Sequence, residues 1–144
     1  MGISVPPSLG GGVGSPRDVL STGATIVSDT VAWNLQLAVQ DGRLDEAKAL
    51  MAEMVGSTRA ETGAIDYEWF LSDDGTVCHI CEKYADSAAA LEHLGNFGTK
   101  FAERFLACFS PTSLHVYGNP SDEVRGVMDG FGAHYLGPIG GFSR

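Results

Sequence analysis

One run of this chain, from Glu61 to His93, leaves few folds open, because it spells a helix end, a hairpin and a new helix without a spare residue. Ile65 to Leu71 is rich in aromatic and branched residues, which favour an extended chain. Asp73-Asp74-Gly75 supplies the turn, since Asp and Gly tolerate the positive φ that a tight reversal needs. Thr76 to Tyr84 reads as the returning strand. Asp86 or Ser87 then caps a helix that carries Ala88, Ala89, Ala90, Leu91 and His93. The same run holds Glu68, Glu82, Tyr67, Trp69, Tyr84 and His79, more polar and aromatic chemistry than a plain core needs.

The flanks fit around this unit. Thr30 to Val39 alternates: Val31, Trp33, Leu35, Leu37 and Val39 share one face, and Ala32, Asn34, Gln36 and Ala38 the other. Arg43 to Ala60 is an amphipathic helix, and Gly63 fits a left-handed helix terminus. Gly95 and Gly98 are expected to interrupt or kink the second helix, and Phe97, Phe101, Phe105 and Phe109, each four residues on, form one aromatic stripe. A fourth strand is expected after Pro111, at about 113–117, then a short helix over 122–128 and a Gly-rich tail. Residues 1–28 are rich in Gly, Pro and Ser and read as an irregular arm. Their glycines do not fit G-x-G-x-x-G, and no strand precedes them, so no nucleotide loop is read there.

A formal net charge of −9 disfavours nucleic acid and anionic membrane surfaces as partners. No apolar run approaches the roughly 18 residues of a membrane helix, and the start of the chain lacks the layout of a secretion signal. Three cysteines, an odd number, do not make a disulfide framework, so the cytoplasm is the expected address. Cys78 and Cys81 point to opposite faces of one strand and cannot share an ion, so no metal site is expected.

The order β-α-β-β-α-β is that of an α+β, ferredoxin-like fold: a four-stranded antiparallel sheet with two helices on one face. The Val31, Trp33, Leu35 and Leu37 side is too apolar to stay wet. A second copy packed against it, giving a homodimer, is the expected cover; the arm or tail of the same chain is the alternative. The chain accordingly divides into the arm (1–28), a central domain (29–118) and a C-terminal helix and tail (119–144), whose His134, Tyr135 and 138–142 could wrap a partner or lid a pocket.

From about Ala32 to Tyr117 the chain resembles the antibiotic-biosynthesis-type monooxygenases of the dimeric α/β-barrel superfamily. The resemblance rests on Glu61-Thr62-Gly63 leading to Tyr67, on Glu82-Lys83-Tyr84, and on His93 nine residues beyond Tyr84, the family's spacing. It implies a pocket between sheet and helices in which a quinol, anthrone-like or other polyphenolic substrate is oxidised by dioxygen without metal, flavin or haem. It also implies alternatives: a polyketide-type cyclase or isomerase, or a non-catalytic dimer holding a small aromatic metabolite.

His93 is the leading catalytic candidate, since imidazole moves protons best near neutral pH. The competing reading is a buried ring bonded to a carbonyl. Glu82 shares a strand face with Tyr84 and is placed to orient His93 or accept from substrate, or else to cap the adjoining helix. The resemblance assigns Asn34 an amide contact to substrate or oxygen, where a neutral donor suits an oxyanion. Tyr84, Tyr67, Trp69, Phe97 and Phe101 are candidate substrate-binding walls, with simple core packing as the alternative.

Overall fold

The computed structural model describes residues 28–144; the expected arm lies outside them except for Ser28. A compact unit runs from Asp29 to Leu136. Its elements are β1 (Val31–Val39), α1 (Leu44–Arg59), β2 (Ala64–Leu71), β3 (Val77–Tyr84), α2 (Ser87–Lys100), α3 (Ala102–Cys108), β4 (Phe109–Gly118), α4 (Asp122–Met128), a 3-10 turn (Asp129–Phe131) and β5 (His134–Leu136). Gly137–Arg144 has no regular structure.

The ferredoxin-like core is present, but the sheet has five strands, in the order β2-β3-β1-β4-β5. The first four pair antiparallel and β5 runs parallel to β4, so the sheet is mixed rather than four-stranded. His134 and Tyr135, expected in the Gly-rich tail as a wrap or a lid, build this extra strand with Leu136.

The hairpin forms as its residues dictate. Gly75 takes φ 74°, and Asp74 Oδ1 accepts from the Thr76 amide and hydroxyl, closing the turn locally. Asp86 caps α2 by accepting from the Ala89 amide at 2.8 Å. Helix α2 then runs unbroken through Gly95 and Gly98; the interruption comes at Phe101, where φ −128° separates it from α3. Both glycines have open space around them, so each costs about 1 kcal/mol of helix propensity and nothing in packing. Strand β4 begins before Pro111, which sits where the β1–β4 register shifts, one of the few sheet positions that tolerates proline.

Gly63 does not have the left-handed conformation expected of it; α1 closes on Ala60 in an ordinary helical conformation. Its role is steric: a Cβ there would overlap the Ala89 Cβ, so glycine lets the α1–β2 turn press against α2.

The two faces of β1 are inverted relative to the expectation. Val31, Trp33 and Leu37 are buried and Leu35 packs with them, under the helices of the same chain rather than beneath a second copy. One buried cluster joins Leu37 and Ile80 to Leu50, Met54, Phe105 and Phe109, and another joins Val31, Trp33 and Tyr84 to Ala90, Val124 and Met128. The residues directly opposite in register therefore face inward as well: Glu82 opposite Trp33, Ile80 opposite Leu35, Tyr67 opposite Glu82.

Candidate active site

Among the described residues, two carboxylates and an imidazole are buried where a core would normally be apolar: Glu61 (6% exposed), Glu82 (6%) and His93 (5%). Each comes from a different element. Glu61 sits in the turn after α1, fixed by its amide donating to the Thr58 carbonyl at 2.9 Å. Glu82 points inward because it shares the parity of Ile80 and Tyr84 on β3 and alternates with Cys81 and Lys83. His93 lies one helical turn past Ala89 on α2, and the close approach at Gly63 brings that face of the helix to Glu61.

The imidazole is gripped from both sides. His93 Nδ1 is 3.0 Å from Glu61 Oε1 and Nε2 is 3.2 Å from Glu82 Oε1. Asn96 Nδ2 donates to Glu61 Oε2 at 3.0 Å, and the Tyr84 hydroxyl donates to Glu82 Oε1 at 2.7 Å. Aromatic rings close around the ring of His93: Tyr84 at 4.9 Å between centroids, Tyr67 at 5.3 Å edge-on, and Trp33 at 6.2 Å. Burial alone would depress the His93 pKa, but hydrogen bonding to Glu82 and the charges of Glu82 and Glu61 raise it above the ordinary histidine value. Tyr84 and Tyr67 both have phenol pKa values pushed well up, mainly by burial and then by the Glu82 charge.

Of this cluster, His93 and Glu82 form the floor of a cavity at the seam between the two core clusters. The walls are apolar, with Trp33, Leu35, Phe97 and Leu114 inside and Leu106, Pro111 and Phe131 at the exposed rim. Interior room is about 50 Å³, enough for waters or a diatomic gas but less than a ring system takes up.

Of the residues singled out from the sequence, His93, Glu82, Tyr67 and Phe97 meet at this cavity. Asn34 does not. It lies on the opposite face of the sheet, donating to Cys81 Sγ at 3.4 Å and accepting from Gln36, because odd-numbered residues of β1 face the helices. Tyr84 is fully buried, stacked on Trp33 at 4.8 Å, so it supports Glu82 and does not form a surface for substrate. Trp69 and Phe101 pack in and against the core cluster on the α1 side, away from the cavity lining. The indole N–H of Trp69 is buried without a hydrogen bond of ordinary geometry; the oxygen it leans toward is the Tyr67 hydroxyl. Trp33 takes the inward position instead, and Glu61 and Asn96 complete the grip on His93. In the sequence Glu61 is visible only as part of a turn motif; its thirty-two-residue separation from His93 is bridged by tertiary structure alone.

Cys78 and Cys81 diverge as the strand alternation requires, Cys78 buried toward α1 and Cys81 beside Asn34. Among the described residues no three His, Cys, Asp or Glu side chains gather as a metal-binding set, and no helix is long and apolar enough to cross a membrane.

The fold has counterparts among solved structures. MupZ from Pseudomonas fluorescens superposes with a TM-score of 0.75 at 26% identity, over 88% of this chain and 96% of that one. SnoaB, described as a cofactor-independent oxygenase from Streptomyces nogalater, gives 0.56 at 14% identity, over 65% of this chain and 96% of that one. Rv0793 from Mycobacterium tuberculosis gives 0.51 at 23%, over 65% and 97%. No curated protein sequence matches the chain. The antibiotic biosynthesis monooxygenase model matches residues 30–108, more than half the chain, and with a monooxygenase-like fold built around that segment the chain belongs to this family.

Proposed function

We propose that this protein is a cofactor-independent monooxygenase that oxidises a quinol, anthrone-like or other polyphenolic substrate with dioxygen. The observation that carries the reading is the Glu61–His93–Glu82 cluster, a proton-handling group on the floor of an otherwise apolar cavity. Family membership supports it, as does the likeness to SnoaB, a cofactor-independent oxygenase. Loss of a phenolic proton to the cluster gives an electron-rich anion. That anion passes one electron to dioxygen; the radical pair recombines into a C–O bond, and loss of water leaves a carbonyl. For an anthrone-like substrate the step balances: a ring methylene and dioxygen become a ring carbonyl and water. The apolar walls of the cavity strengthen each electrostatic contact that holds the anion. Entry of a ring system requires the rim to open, where Leu106 (50% exposed) and Phe131 (43%) are the exposed non-proline side chains.

The reading includes a homodimer, seated on the face of the sheet that the helices leave open. Phe70, Tyr117 and Leu136 are exposed there among polar neighbours such as Asn34, Gln36 and Lys83, with Ala32 and Ala38 half-buried between them, and a second sheet can cover them.

A cyclase or isomerase on the same fold is the second reading, favoured by one feature: a proton donor and a proton acceptor lie 3.2 Å apart in His93 and Glu82. Oxygen-electrode measurements with a panel of hydroquinones and anthrones decide between them. Stoichiometric oxygen uptake that disappears in Glu82→Gln supports the oxygenase; product formed at full rate under strict anaerobiosis overturns it in favour of the cyclase.

A further inference from the structure

We propose that Glu61 is a positioning residue that holds His93 as the doubly protonated imidazolium, and that Glu82 is consequently the group that takes the substrate's proton. The first half concerns the free protein and stands by itself; the second rests on the oxygenase reading above.

The geometry argues it through donors and acceptors. Neutral imidazole has one N–H and one bare lone pair. Here both ring nitrogens face carboxylate oxygens, at 3.0 and 3.2 Å, and a lone pair aimed at either oxygen would be repelled. The alternative is to put the shared proton on a carboxyl, but each carboxylate already accepts a further hydrogen bond that is stronger to the ionised form than to the acid. Asn96 Nδ2 can only donate, and it points at Glu61 Oε2; Tyr84 donates to the same Glu82 oxygen that faces His93. The proton therefore belongs to the ring, and two N–H groups satisfy two anions. The titratable groups packed on His93 are Glu61 from the α1–β2 turn, Tyr67 from β2, and Glu82 and Tyr84 from β3; the tyrosines stay neutral at the pH where the ring would otherwise discharge.

A ring with no lone pair to offer is not a base. Of the two anions, Glu82 is the one that lines the cavity. In the proton transfer the substrate O–H bond breaks, an O–H bond forms on the Glu82 carboxylate, and the electron pair stays on the phenolate beside the imidazolium. No electron leaves the substrate in that step. Glu61, outside the cavity lining, acts only through His93.

The test is the ¹⁵N spectrum of ring-labelled histidine in the full-length protein without substrate, with the His93 signals assigned by their loss in His93→Gln. Both ring nitrogens are expected to be protonated at pH 7, and Glu61→Gln is expected to lower the proton affinity of His93 tenfold or more. One bare nitrogen in the wild type at pH 7 overturns the proposal, as does an unchanged titration in Glu61→Gln. Should that variant not fold, Glu82→Gln is read the same way, and the wild-type spectrum decides regardless. Because no turnover is involved, failure here is distinguishable from failure of the oxygenase reading. With a substrate in hand, an acidic limb in kcat/KM that Glu82→Gln removes supports the second half; a limb that Glu82→Gln leaves in place overturns it.

Discussion

Tyr84 donates its hydroxyl to Glu82 Oε1 across 2.7 Å from two positions further along the same strand, so the carboxylate is braced by its own neighbour before any helix arrives. Tyr84→Phe removes that donor and leaves a buried anion one bond short. The expected loss is about 1–3 kcal/mol in denaturant unfolding, with the Trp33 stack retained. A variant as stable as the wild type would show that the hydroxyl contributes nothing.

Stability should fall as pH rises past neutrality. The folded-state pKa of His93 is raised, so its contribution is complete below the ordinary value near 6.5 and is lost as pH climbs through the raised one. The buried Cys78 thiol, pushed up to about 11, adds a slope of the same sign above about 8.5. Cys78→Ala removes that second contribution and should keep the first. Chemical denaturation between pH 6 and 9 measures it; a flat profile in both proteins contradicts the assignment.

Activity should divide along the faces of the sheet. Glu82→Gln, beneath the cavity, is expected to lower oxygen uptake by about 10²- to 10⁴-fold, the usual worth of a positioned proton acceptor. Asn34→Ala, on the far face with Cys81 and Gln36, is expected to stay within a factor of a few of the wild type. Equal losses in the two variants would restore Asn34 to the site.

Gly63→Ala pushes a methyl group into Ala89, and the turn and helix must separate. We expect a cost of about 1–3 kcal/mol and partial recovery in the double variant with Ala89→Gly. The separation also pulls Glu61 from His93, so the His93 titration should drop in the single variant and return in the double.

The homodimer is tested by charge. Phe70→Glu with Tyr117→Lys replaces two exposed apolar side chains of the open face with ions. Sedimentation should report a dimer for the wild type and a monomer for the variant, with circular dichroism unchanged. A wild-type monomer at micromolar concentration ends the dimer reading.

What the sequence discloses and what it hides follow from the reach of its signals. Strand alternation states which residues share a face, and Trp33, Leu35 and Leu37 do share one. It does not state which face the helices take, and the amides of Asn34 and Gln36 give a misleading lead. The hairpin and the cap at Asp86 are local hydrogen-bond choices and are legible residue by residue. The continuity of α2 through two glycines is not, because burial of Ala90 and His93 and packing of the half-buried Leu94 and Phe97 outweigh a propensity cost at positions that pack against nothing. The strand at His134–Leu136 exists only through pairing with β4, a partner no three-residue window reveals. Glu61 is hidden for the same reason: its role is set by what folds against it.

Because Glu82 faces inward solely by its parity on β3, hairpin length and chemistry are one variable in this protein. Lengthening the loop by one residue, if the strand slipped to absorb it, would drive Lys83 or Cys81 beneath the helices and turn the carboxylate to the outside. A two-residue slip would keep the polarity of every face and still put Tyr84 or Ile80 where the acid belongs. Descendants of this chain can therefore lengthen the loop only where the β3 register is kept, with Asp74 and Gly75 holding the turn itself, and a relative whose β3 has slipped by one residue should have lost either the fold or the reaction.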